Sequence, residues 1–242
     1  MYTRYFLPGQ KILLRSCRAD QHPPRIEAVT ARLISYDAGQ FELALVHPWQ
    51  SEEPFFAAQN PLVEMLSERF GLGLRSTALF RGIFDGKLIR LQANNDLNLF
   101  RPRPKPRINT NIGLQHFSAR TGSSTFYRKW SQQVIKLKDT SAALSSPILP
   151  LGEVNLSSTG IRTILKSPVT SQDLCLMMLE LQPDQIPICT LAEVIWTAPH
   201  DDPQTQVAGL QFLNILHIDQ ERIEHFIKTD RVPASQTRSL ST

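Results

Sequence analysis

Alternation of apolar and polar positions dominates this chain and predicts strands far more often than helices. Residues 11–15, 26–34 and 41–45 repeat with a period near two, the spacing that collects apolar side chains on one face of a strand, and the turn residues Asp37 and Gly39 separate the second run from the third. Residues 76–84 and 87–91 flank Asp85-Gly86 and predict a hairpin, since a two-residue turn containing glycine matches the twist of paired strands. Leu62, Val63, Leu66 and Phe70 fall at helical spacing ahead of Gly71, so a short helix is expected between Asn60 and Gly71. These elements form a β-rich first domain, residues 1–97.

The pattern then breaks. Residues 100–107 read Phe-Arg-Pro-Arg-Pro-Lys-Pro-Arg, and the alternating prolines fix φ and remove amide donors, so residues 98–107 are an extended connector. Strand signals resume at 108–117, 152–156, 161–165, 174–181, 188–196 and 207–215; many short strands with few helices predict a small barrel. One insertion, residues 119–149, interrupts them. In it Phe126, Trp130, Val134 and Leu137 share a face of an expected helix over 125–138, capped by Ser123 or Ser124, and that helix is expected to pack on the barrel. Asp219 can cap a closing helix with Ile223, Phe226 and Ile227 as its apolar stripe, and residues 229–242 form a loose tail. The whole is mainly β: two small barrels, one inserted helix and one C-terminal helix.

Composition supports a folded chain, because 41% hydrophobic and 20% charged residues lie far from the disordered regime. The start has too short an apolar stretch before Pro8 for a signal peptide and no run suffices to cross a bilayer, so the cytoplasm is expected and membrane insertion is not. Cys17, Cys175 and Cys189 lie far apart and read as reduced core or strand residues. The six histidines form no metal-ligand spacing, and neither a nucleophile elbow nor a phosphate-binding lysine loop occurs, so no catalytic residue and no metal are assigned and the protein is read as a non-enzyme. The net charge of +4 matters less than its distribution: no acid occurs between Asp96 and Asp139, while cations crowd that interval.

Two patterns there carry binding chemistry. In an extended connector Arg101, Arg103, Lys105 and Arg107 project to one side, and a guanidinium fork fits two phosphate oxygens or the O6 and N7 of guanine. Downstream, Asn155 and Ser157 alternate with Val154 and Leu156, offering an amide and a hydroxyl beside Gly160, which could take positive φ or admit a ligand to the backbone.

In this order, Arg103-x-x-x-Arg107 followed by Asn155-x-Ser157-x-x-Gly160 resembles the signature of the PilZ family, bacterial receptors for cyclic di-GMP. The strand ending in Val194-x-Trp196, the Gly209-x-x-Phe212 strand and the closing helix continue the resemblance, which implies a PilZ domain over 98–228 built on a six-stranded barrel. The first domain is similar in pattern to the N-terminal barrel of the two-domain members like YcgR, which act on the flagellar motor. The resemblance implies cyclic di-GMP as ligand, with Arg103 and Arg107 on phosphate and guanine and Asn155 and Ser157 on the guanine edge. Gly160 would shape the turn, and Arg101 and Gly209 would be further members of the site. It also implies a protein partner of the output machinery, such as the motor, in motility or surface attachment. Two rivals remain at this point: a PilZ-like interaction module that binds no nucleotide, and a single-strand nucleic-acid binder that stacks bases on Phe126, Tyr127 and Trp130 between Arg128 and Lys129. Pro102 beside the first motif arginine leaves one or two ligand molecules open.

Overall fold

The computed structural model describes residues 2–18, 24–48, 62–101, 106–118, 123–138, 149–166, 169–183 and 185–230. The chain divides into two compact units, Met1–Pro104 with Thr121–Arg128, and Lys105–Arg120 with Lys129–Thr242.

The first unit is an antiparallel barrel of β1 (Lys11–Arg18), β2 (Arg25–Asp37), β3 (Gln40–Leu45), β4 (Leu62–Arg69), β5 (Leu72–Phe84) and β6 (Leu88–Ala93). The strands pair in the order β1-β4-β5-β6-β3-β2, and β1 returns to β2, which closes the ring and leaves no free edge among these six. A short α1 (Tyr2–Tyr5) places Tyr2 and Phe6 in the core against Phe41, and a short β7 (Asn98–Phe100) adds to β5. Ile12, Leu14, Leu33, Leu43, Val63, Met65, Leu74 and Ile89 fill the interior. The hairpin expected at Asp85-Gly86 forms, with φ of 52° and 63° at these two residues.

The helix expected between Asn60 and Gly71 does not form; residues 62–69 are strand β4. Val63 and Met65 point into the barrel and are fully buried, whereas Leu62 and Phe70 are 55% and 81% exposed. Apolar residues left on the outer face produced the false helical spacing. Gly71, at φ 72°, forms the β4–β5 turn with Phe70 and ends no helix.

The second unit is a second closed antiparallel barrel, of β8 (Ile108–Ser118), β9 (Leu151–Ser157), β10 (Gly160–Lys166), β11 (Leu174–Glu180), β12 (Ile188–Pro199) and β13 (Thr205–Leu216). They pair as β8-β9-β10-β13-β12-β11, with β11 returning to β8. Burial, then the nearby Asp173 charge, pushes the Cys175 thiol up to about 12, so it is a packed, unreactive group. The closing helix α3 (His217–Asp230) starts two residues before the expected Asp219, whose carboxylate accepts a bond from Arg222 at 2.8 Å in the first turn and is not the cap. The tail beyond residue 230 lies outside the described residues.

The expected inserted helix is present as α2 (Ser123–Lys138). Its residues up to Arg128 group with the first unit, where the Tyr127 hydroxyl donates to Glu27 Oε1 at 2.7 Å. From Lys129 onward it groups with the second unit, where Trp130 Nε1 donates to the Cys189 carbonyl at 3.0 Å. Phe126 and Trp130 are fully buried. No helix among the described residues is long and apolar enough to cross a membrane.

Candidate functional site

The β9–β10 hairpin carries the Asn155–Gly160 motif. Ser157 pairs with Gly160 across the two-residue turn Ser158–Thr159, and Asn155 pairs with Arg162. Val154 and Leu156 face the core as the alternation predicts, and Asn155 faces outward, half-buried. Its amide is held at both ends: Oδ1 accepts from Arg107 Nη1 at 3.3 Å, and Nδ2 donates to Asn109 Oδ1 at 2.8 Å. Residues 48 positions apart in sequence therefore meet because β8 and β9 are neighbours, with Asn109 directly opposite Asn155.

Ser157 is not on the open face with Asn155. It is 1% exposed, and its hydroxyl donates to the Gly160 carbonyl at 3.0 Å, which ties the turn together. Helix α3 braces the same turn: Gln220 Nε2 donates to the Ser158 carbonyl at 2.9 Å, and the Ser158 hydroxyl to Glu224 Oε1 at 3.0 Å. Ser157→Ala is accordingly expected to lower stability by about 0.5–1.5 kcal/mol, the net worth of one hydrogen bond. Urea titration of the variant checks this, and an unchanged midpoint would show that the bond contributes nothing.

Gly160 does not have positive φ; among the described residues the glycines that do are Gly9, Gly39, Gly71, Gly82 and Gly86. A β-carbon at Gly160 would instead overlap the Leu210 backbone carbonyl on β13, so the glycine permits close approach of two strands. Gly209 has the same kind of reason. A β-carbon there would overlap the Trp196 indole at Nε1, so the ring is seated on the bare backbone of Gly209.

Trp196 reaches that seat through a β-bulge. Val194 pairs with Leu210 and Trp196 with Gly209, so β12 uses two residues where β13 uses one. Val194 is fully buried, and the extra residue turns Trp196 to the outer face, where it is 43% exposed. The registers then align Trp196, Gly209, Arg162, Asn155 and Asn109 as one row across β12, β13, β10, β9 and β8. Arg107 joins this row at Asn155. The row gathers donors, namely two guanidinium groups and an indole N–H, and suits an acceptor-rich or anionic ligand with a flat ring.

Among the motif residues, the structure brings Arg107 and Asn155 together, seats Trp196 on Gly209, and ties Ser157 to Gly160. Arg103 lies outside the described residues; Arg101 is exposed and belongs to the first unit. Asn109 and Arg162 were missed from sequence, and Trp196 was named only as the end of its strand, outside the site. Alternation along β10 would have found Arg162, whereas no periodicity finds Trp196, because the bulge reverses its face. The stacking platform for single strands is not available: Phe126 and Trp130 are fully buried, and Tyr127 is half-buried against Glu27.

Among the described residues, no group of three or more His, Cys, Asp or Glu side chains gathers as a metal site. Comparison with protein families matches residues 135–229 to the model described as PilZ domain. The match starts within α2 and so does not include β8 or Arg107. No curated protein matches the chain by sequence. Among solved structures, the Bacillus subtilis inhibitor of motility MotI/DgrA is 13% identical with a TM-score of 0.37, covering 93% of this chain and 97% of its own. YcgR from Escherichia coli in complex with c-di-GMP is 11% identical at 0.33, covering 91% and 83%. The K. pneumonia MrkH–c-di-GMP complex is 13% identical at 0.31, covering 91% and 86%. These are weak whole-chain likenesses.

Proposed function

With a PilZ domain over residues 135–229 as the premise, we propose that this chain is a non-enzymatic receptor for cyclic di-GMP, bound on the outer face of the C-terminal barrel. The observation that carries the reading is the contact of Arg107 with Asn155, the two motif residues whose side chains must face one ligand. Arg107 and, from the connector, Arg103 supply forks for phosphate and guanine, with Arg101 as a further cation. Asn155 supplies an amide already oriented by Asn109, the exposed Trp196 ring on Gly209 offers a stacking surface, and Ser157 and Gly160 hold the turn. The receptor domain is taken as residues 98–228 and the preceding domain as 1–97. Binding is read out by a protein partner in the cytoplasm, with the flagellar motor or surface attachment as the output that the family resemblance suggests.

Calorimetric titration with cyclic di-GMP tests the proposal. Arg107→Ala is expected to weaken binding at least tenfold, about 1.4 kcal/mol, through loss of a charged bidentate contact, with lysine restoring it only in part. Equal affinity in the folded variant would remove Arg107 from the site. The second reading, an interaction module without nucleotide, is favoured by the engagement of both ends of the Asn155 amide by Arg107 and Asn109. A flat titration of the wild-type chain at high micromolar protein would establish it in place of the receptor.

A further inference from the structure

Several arginines on the strands of this protein face an acid. Arg15 donates from Nε to Glu64 Oε2 at 2.7 Å, and Arg75 reaches the other oxygen of the same carboxylate. Arg90 pairs with Glu42, its direct cross-strand partner, at 3.4 Å. Such pairing is what a solvated sheet face uses to balance its charge.

Arg162, like Arg81 on β5, has no such partner, but it alone of the two stands beside the Asn155 motif. It stands at mid-strand on β10, exposed, with Asn155 on one side and Gly209 on the other. Glu153 is one alternation further along β9, opposite Asn111, and forms no ion pair with Arg162. Arg162 makes no hydrogen bond or ion pair among the described residues. Gly209 has no side chain, and the nitrogen-bearing edge of the Trp196 indole fills the space above it. The register thus places Arg162 between Asn155, whose amide is oriented, and Gly209, the residue on which the Trp196 indole sits. The Arg162 guanidinium is a donor of this row that has no acceptor among the described residues.

Resting on the receptor reading above, we infer that Arg162 is a specificity-determining residue that reads the O6 and N7 acceptors of a guanine in the ligand. Guanine presents two acceptors on that edge, whereas adenine replaces one of them by the N6 amino donor, which an arginine opposes. Arg162 therefore adds base discrimination to the contacts that the motif arginines make with phosphate and guanine. The residue lies outside the two motifs, on the strand after the turn.

The test titrates the wild type, Arg162→Ala and Arg162→Lys with cyclic di-GMP and with cyclic di-AMP, which carries the same phosphate charge. Arg162→Ala is expected to lose at least tenfold in affinity for cyclic di-GMP and much less for cyclic di-AMP, narrowing the preference. Arg162→Lys, which keeps the charge but not the fork, is expected to leave the preference narrowed. Thermal melts of both variants establish that they are folded. Unchanged affinity of Arg162→Ala, or an equal loss for both ligands, overturns the inference while the receptor reading stands. Absence of cyclic di-GMP binding by the wild type overturns the receptor reading itself, and the inference with it.

Discussion

Trp130→Ala is expected to lower the stability of the C-terminal unit by about 3–5 kcal/mol, the range for truncating a buried large aromatic. Trp130 is fully buried on α2, so alanine leaves a cavity the size of an indole, and the loss also removes the 3.0 Å bond to the Cys189 carbonyl on β12. At about 2–4 °C per kcal/mol for a chain of this size, the melting temperature falls by on the order of 10 °C. Ile135, on the same helix, is 67% exposed, and Ile135→Ala is expected to change stability by no more than about 0.5 kcal/mol. Scanning calorimetry of both variants checks the pair. Equal, small effects would show that the helix is not docked through its Trp130 face.

Gly160→Val is expected to destabilise the same unit by about 1–3 kcal/mol, as overpacking does, and to abolish ligand binding with it. The cause is the Leu210 carbonyl, which stands where the first side-chain carbon would go and, being backbone, cannot rotate away. Two controls separate this from a left-handed backbone requirement. Gly160→Asn, which tolerates positive φ, is expected to be no better than Gly160→Ala, because both carry the offending β-carbon. Gly152→Ala, on the neighbouring strand, meets only the flexible Leu114 side chain at 3.4 Å and is expected to be mild. Rescue by asparagine in thermal melts would overturn the packing account.

Much of the fold was legible along the chain, since inward positions of a closed barrel must alternate with outward ones wherever a strand crosses the core. All strands of the C-terminal barrel, the Asp85-Gly86 hairpin and both longer helices could be placed this way, as could the Arg107 and Asn155 spacing that resembles a PilZ signature. Alternation failed at β4, where outward Leu62 and Phe70 mimicked a helical stripe. Short α1 and β7 carried no periodic signal at all.

Local pattern determined which residues point inward and which motif is present; only the tertiary structure decided which outward residues stand together. Arg107 meets Asn155 because β8 pairs with β9, and Trp196 enters the same row because a bulge inserts one residue opposite Gly209. The hydroxyl of Ser157 turns from the open face to the turn it closes, and Gly160 is required by the strand beside it and not by its own φ. Register, bulges and close strand approach are properties of pairs of distant segments, set by how whole faces pack. A period-two pattern read along one strand contains the face of each residue but not the partner across from it.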